Sequence, residues 1–160
     1  MIDPLLNYLQ ENGRASHAEL AGLTGESETV IADKIAAWEA DGTILGYSAV
    51  TDPEKSGWDG VSALIEVKTT PERGGGFDRV ADRIARFDQV RTCLLMSGAY
   101  DLAVIVEGTT LQEVAKFVAE KLSTLEGVQS TATHFQLKTY KQNGLMAHGD
   151  PAEGRLAVTP

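Results

Sequence analysis

Apolar residues recur at helical spacing through the first third of the chain. Ile2, Leu5, Leu6 and Leu9 form one stripe, and Asn12-Gly13 stops it. Ser16-His17-Ala18-Glu19 has capping-box spacing: the Ser16 hydroxyl can accept from the Glu19 backbone while the Glu19 carboxylate reaches back. The short helix opened there carries Leu20, Ala21 and Leu23 and ends at Gly25. A third helix starts from Ser27 as N-cap, buries Ile31, Ile35 and Trp38, and closes at Asp41-Gly42. Ile44 to Val50 then reads as a strand, ended by Asp52-Pro53. Three helices and a strand, with a tight Thr24-Gly25-Glu26 corner, predict a winged helix-turn-helix over residues 1–53.

Residues 54–60 read as a hinge, and beyond them the apolar period shortens to two. Val61, Ala63, Ile65 and Val67 alternate as a strand, followed by a polar, Gly-rich loop from Thr69 to Gly76. Phe77, Val80, Ala81, Ile84 and Phe87 make a helical stripe, with Asp78, Arg79, Asp82, Arg83 and Arg86 on the wet side. Val90 to Met96 and Leu102 to Val106 are strands joined by the turn Ser97-Gly98-Ala99-Tyr100. Leu111, Val114, Ala115, Val118, Leu122 and Leu125 form a second amphipathic helix, which Gly127 breaks before a last strand from Val128 to Thr139. The order strand–helix–strand–strand–helix–strand predicts a ferredoxin-like domain over 61–143, so the expected class is α+β. Residues 144–160 lack periodicity and read as a mobile tail.

Two helices can cover only one face of a four-stranded sheet. Yet the middle strands are apolar on both faces, with Leu94 and Met96 on one side against Cys93 and Leu95 on the other. Leu102, Val104 and Val106 likewise oppose Ala103 and Ile105. Strands buried on both sides need a second layer, and a second copy of the chain is the expected cover.

Composition narrows the classes. With 42% apolar and 23% charged residues the chain can bury a real core, which excludes wholesale disorder. No run approaches the ~20 apolar residues of a bilayer span. Met1-Ile2-Asp3-Pro4 carries no basic region ahead of an apolar stretch, so a cytoplasmic protein is expected. One cysteine, Cys93, excludes an intrachain disulfide framework and Cys-rich zinc sites. The net charge of -9 is uneven: residues 1–58 hold ten acids against three bases, and residues 59–160 thirteen against eleven. An acidic domain repels the phosphate backbone of a nucleic acid.

Catalytic chemistry is sparse. His17, His134 and His148 have no metal-ligand spacing, and none is expected to act as a ligand. Gly74-Gly75-Gly76 lacks the Lys-Ser/Thr of a phosphate-binding loop, and Cys93 lacks basic neighbours that would activate a thiolate. Neither an enzyme nor a cofactor is expected. On the third helix, the face opposite Ile31, Ile35 and Trp38 is Thr29, Ala32, Asp33, Ala36 and Ala40, with Lys34 on the flank. Recognition helices offer Arg, Lys, Asn or Gln to base edges. Two uses of this unit therefore stay open, DNA binding and dimerisation or protein docking. In the turn Gly98-Ala99-Tyr100-Asp101, a carboxylate begins an otherwise apolar strand. It either serves the turn itself or contacts a ligand.

Both halves resemble the Lrp/AsnC (leucine-responsive, feast/famine) regulators. The first half does so at Ala18-Glu19-Leu20-Ala21, Ser27, Ile31, Lys34-Ile35, Trp38-Glu39, Asp41 through Val50 and Asp52-Pro53-Glu54-Lys55. The second does so at Ser97-Gly98-Ala99-Tyr100-Asp101-Leu102, Leu125-Glu126-Gly127-Val128 and Thr131-Ala132-Thr133. The resemblance implies transcriptional regulation, DNA contact through the winged helices, a homodimer built on the ferredoxin-like domain, and assembly into tetramers or octamers. It implies DNA-contacting positions at Ser27, Thr29 and Lys34. It also implies an amino-acid effector held near Gly98, Tyr100 and Asp101, with Thr131 and Thr133 as further candidates. The alternative is a ligand-sensing scaffold of the same fold with weak or lost DNA binding. A decarboxylase of similar two-domain architecture would need cations or imidazoles for a multiply carboxylated substrate, and His134 with a few peripheral Arg residues does not supply them.

Overall fold

The computed structural model describes residues 2–71 and 76–147. It divides into two compact units, with the boundary between Val50 and Thr51.

The first unit holds α1 (Pro4–Glu11), α2 (His17–Thr24) and α3 (Glu28–Ala40). Each start is set by a side-chain cap. The Asp3 carboxylate accepts from Leu5 N, and Ser27 Oγ from Val30 N. The capping box at α2 is complete: Ser16 Oγ accepts from Glu19 N, and Ser16 N donates to Glu19 Oε2 at 2.7 Å. Gly25 ends α2 in the left-handed conformation (φ 77°), which lets the chain turn sharply into α3. Leu5, Leu9, Leu20, Ile31 and Ile35 form the core, edged by Tyr8, Trp38 and Ile44. Ile2 and Leu23, which fit the helical stripes, are exposed instead.

The expected strand from Ile44 to Val50 is not formed. Ile44 N bonds back to Trp38 O and the Tyr47 hydroxyl donates to Glu39, but no ladder involves these residues and Leu45 is 96% exposed. A strand exists only where a neighbour accepts its hydrogen bonds, and this unit contains no other strand among the described residues. The unit is therefore a three-helix helix-turn-helix whose wing is unpaired among the described residues.

The second unit opens with a single helical turn, α4 (Pro53–Ser56), where a hinge was expected; Asp52 caps it and Gly57 closes it. Then follow β1 (Val61–Thr69), α5 (Asp78–Ala85), β2 (Val90–Leu95), β3 (Leu102–Gly108), α6 (Leu111–Phe117) and β4 (Val128–Phe135). The helix α6 runs on as one wide π turn, Val118–Leu122, in which Ser123 N reaches Val118 O. The sheet is antiparallel in the order β2-β3-β1-β4, the ferredoxin-like arrangement. The last strand stops at Phe135, four residues before the expected end at Thr139.

Alternation on β1 sends Ala63, Ile65, Val67 and Thr69 into the buried layer. There they meet Val80, Ile84, Leu102, Val104, Val106, Val114, Phe117 and Leu122. Gly127 (φ 95°) is required twice over: its backbone is left-handed, and an added Cβ would stand 2.7 Å from Val80 Cγ2.

Part of the expected tail is ordered. Lys141–Gln142 (β5) pairs with Leu145–Met146 (β6) around Asn143-Gly144, whose φ values of 47° and 82° suit a two-residue hairpin turn. Residues 148–160, including His148, lie outside the described residues, as do Gly74 and Gly75 of the glycine run.

Candidate functional site

Two places carry the candidate residues, one in each unit. In the second unit the β2–β3 loop is closed by Met96 N donating to Asp101 O, and Asp101 N donates to Val67 O. The Asp101 carboxylate then reaches sideways: its Oδ2 accepts from Thr69 N at 2.8 Å. Asp101 thus prolongs the β1–β3 ladder beyond Leu102, standing where a strand carbonyl would otherwise accept. This bond reaches a partner 32 positions away rather than serving the turn itself, and it occupies one of the two carboxylate oxygens. The other oxygen, Oδ1, has no hydrogen bond among the described residues. Gly98 adopts φ 150°, and Gly98 and Ala99 are exposed while Tyr100 and Asp101 are half-buried. The loop is therefore a pinned turn presenting backbone groups and one carboxylate oxygen.

Thr69 was not singled out from sequence, because its role depends on a contact across strands. It is 4% exposed, and its Oγ1 is a buried polar atom without a hydrogen-bond partner among the described residues.

Thr131 and Thr133 lie opposite Val67 and Ile65 on β1, on the face covered by the helices. The Thr131 hydroxyl shares a hydrogen bond with Ser123 Oγ. Asp101 flanks β1 on one side and Thr131 on the other, so two strand spacings of ~10 Å separate them. The structure brings Gly98, Tyr100 and Asp101 together in one loop and leaves the two threonines apart from it.

In the first unit, α3 shows Thr29, Asp33 and Ala36 to solvent, with Ala32 partly covered. Ser27 is spent on capping the helix. Lys34 is held by Glu26, whose two carboxylate oxygens both lie 2.7 Å from Nζ. That hydrogen-bonded pairing pushes the Lys34 ammonium above its usual range and cancels its charge locally. Sequence spacing gave no hint of this pair, because eight residues and a helix corner separate the partners. Residues 1–50 hold eight acids against two bases, Arg14 and Lys34.

Other candidates are ordinary. Burial, with Asp82 nearby, raises the Cys93 thiol, and its Sγ sits 3.9 Å from Ala81 O against α5. His17 is exposed at the start of α2, and His134 Nε2 stands 3.4 Å from Glu66 Oε1. Among the described residues there is no cluster of three or more His, Cys, Asp or Glu fit to hold a metal ion. None of their helices is long and apolar enough to cross a membrane.

Comparison with known proteins covers both units. The sequence model of the Lrp/AsnC ligand binding domain matches residues 62–146. The HTH-type transcriptional regulator YugG of Bacillus subtilis is 45% identical over 160 residues, covering 98% of this chain and 95% of that protein. The leucine-responsive regulatory protein of Escherichia coli is 29% identical over 141 residues, 87% of this chain and 84% of its own length. Among solved structures, the transcriptional regulator NMB0573 of Neisseria meningitidis, determined as an L-Met complex, superposes with a TM-score of 0.66. It is 26% identical and covers 89% of this chain and 94% of its own.

Proposed function

The chain belongs to the Lrp/AsnC family of transcriptional regulators, and on that premise we propose that it is an amino-acid-responsive regulator working as a homodimer or a larger ring of dimers in the cytoplasm. The observation that carries this reading is the pinned Gly98–Asp101 loop on a ferredoxin-like sheet, in one chain with a helix-turn-helix. In this reading Asp101 Oδ1 receives the ammonium group of the effector, and backbone N–H groups of the exposed turn receive its carboxylate. The L-Met complex of NMB0573 and the name of the leucine-responsive relative support an amino acid as the effector class. Thr131 and Thr133 serve at most from a second copy or through a ligand long enough to reach them.

DNA contact through Ser27, Thr29 and Lys34 is weak for each helix in this proposal. Ser27 caps α3 and Lys34 is neutralised by Glu26, which leaves Thr29 as the unengaged position. Operator binding then depends on several helices acting together in one assembly. The same observation favours a second reading, a scaffold of this fold that acts through another protein.

Gel shifts against salt separate the two. The regulator reading expects weak, shallowly salt-dependent binding to arbitrary duplex and tighter binding to an operator. Replacing Ala32, Asp33 and Ala36 by Arg adds up to three phosphate contacts per helix, which in a dimer steepens the log–log salt slope by about 5. Absence of any operator in a genome-wide occupancy experiment leaves only the scaffold. Tight, steeply salt-dependent binding by the native protein overturns the account of α3.

A further inference from the structure

The helix-free face of the sheet carries charge in an unusual balance. Strand alternation places Ser62, Leu64, Glu66 and Lys68 of β1 on it, with Ala103, Ile105 and Glu107 of β3. Thr92 and Leu94 of β2 and Ser130, Ala132 and His134 of β4 complete it. Leu94 is 51% exposed, and Leu64, Glu66 and Ile105 are half-buried. The chain as a whole carries -9, yet this face holds two carboxylates, Glu66 and Glu107, against two permanent cations, Lys68 and Arg91. Two copies can approach here without the repulsion felt elsewhere.

The two carboxylates differ in their partners. Glu107, at the edge of the face, is taken by Arg91 at 3.1 Å, a cation at every working pH. Glu66 lies near the centre, flanked by the small side chains of Ala103 and Ala132. Its partner is the imidazole of His134 at 3.4 Å, and Lys68, two residues along the same strand, makes no ion pair among the described residues. Besides Glu66 and Lys68 on β1, the charged groups sharing the face with His134 are Glu107 on β3 and Arg91 on β2; β4 contributes none.

We propose that the Glu66–His134 pair is a proton-operated lock on the interface between two copies of the chain. The proposal rests on the dimer reading above and adds its regulation. Protonated His134 neutralises Glu66, so the central carboxylate can be buried under the partner sheet. Neutral His134 leaves Glu66 without an ion-pair partner, because Arg91 is taken by Glu107 and Lys68 makes no ion pair among the described residues, and an unpaired carboxylate opposes burial. The sign follows from linkage: the bound state favours the protonated imidazole, so association is strongest at acid pH. It weakens as the imidazole loses its proton with rising pH.

Sedimentation equilibrium of the full chain at constant salt, from about pH 5.5 to about pH 8, tests this. Native protein is expected to associate about tenfold more weakly at the upper end. His134→Gln shrinks that difference to the general charge effect, and Glu66→Gln associates tightly at the upper end, where neither group carries a charge to bury. The chain also loses negative charge on acidification, and His134→Gln retains that general effect and so measures it. A full pH dependence surviving in His134→Gln overturns the lock. So does a native dimer that Leu94→Asp dissociates but that pH leaves unchanged. A native protein that is monomeric at every pH overturns the dimer reading, and the lock with it.

Discussion

The two units bury their apolar residues with different completeness. In the helix-turn-helix unit, Leu5, Leu9, Leu20, Ile31 and Ile35 close on one another, and what remains outside is mostly acidic or small apart from scattered Ile2, Leu23, Val30, Leu45 and Tyr47. In the ferredoxin-like unit α5 and α6 cover one face of the sheet except at the β2 end, where Leu95 is exposed, while Leu94, Leu64 and Ile105 stand partly exposed on the other. The first unit has a finished core and a surface unsuited to phosphate. The second has an unfinished core and a surface nearly neutral in charge. Burial therefore asks for a partner across the open sheet face of the second unit, and electrostatics sets the strength of any DNA contact in the first.

The sharpest way to break this contrast is Leu94→Asp. Leu94 pairs with Ala103 on the open face, whereas Leu95 pairs with Leu102 on the helix side. A buried unpaired carboxylate at Leu94 is expected to cost ~3–5 kcal/mol of association, giving monomer by light scattering. Leu95→Asp, on the helix side and 59% exposed, is expected to leave the mass unchanged. Equal behaviour of the two variants removes the open face as the interface.

Next in size is the loop. In Asp101→Asn the amide oxygen still accepts from Thr69 N, so thermal melting changes little. Amino-acid binding weakens by ~1.5–3 kcal/mol in calorimetry, the range for a hydrogen bond to a charged group. Asp101→Ala loses the anchor as well and lowers the melting temperature. Unchanged affinity in the Asn variant takes Asp101 out of the effector site and leaves it as a ladder extension alone.

The smallest effect belongs to capping. Glu113 accepts from Thr109 N and its hydroxyl at 2.6 Å, and these bonds hold its carboxyl below the usual range; Ser16 does the same for Glu19. The folded values are depressed, so this stabilisation is present above the unfolded carboxylate value of ~4.3 and is lost as pH falls through the folded one. Side-chain carboxyl titration by NMR is expected to place both groups below the other exposed glutamates.

Local patterns carried most of the fold. The Ser16–Glu19 box, the Ser27 cap, Gly25 and the change of period after residue 60 each act within a few neighbours, and each appears where the pattern places it. The two-faced apolar strands were legible for the same reason, since alternation alone assigns faces. Ile44–Val50 has the residues of a strand but forms no ladder, because pairing needs a neighbour that no local pattern supplies. Tertiary structure alone decided that Asp101 serves Thr69, that Glu26 silences Lys34, and that Glu66 meets His134. Each of these joins groups far apart in sequence or across a chain corner. Their charges and hydrogen-bonding capacity are written in the residues, but their partners exist only once the chain has closed.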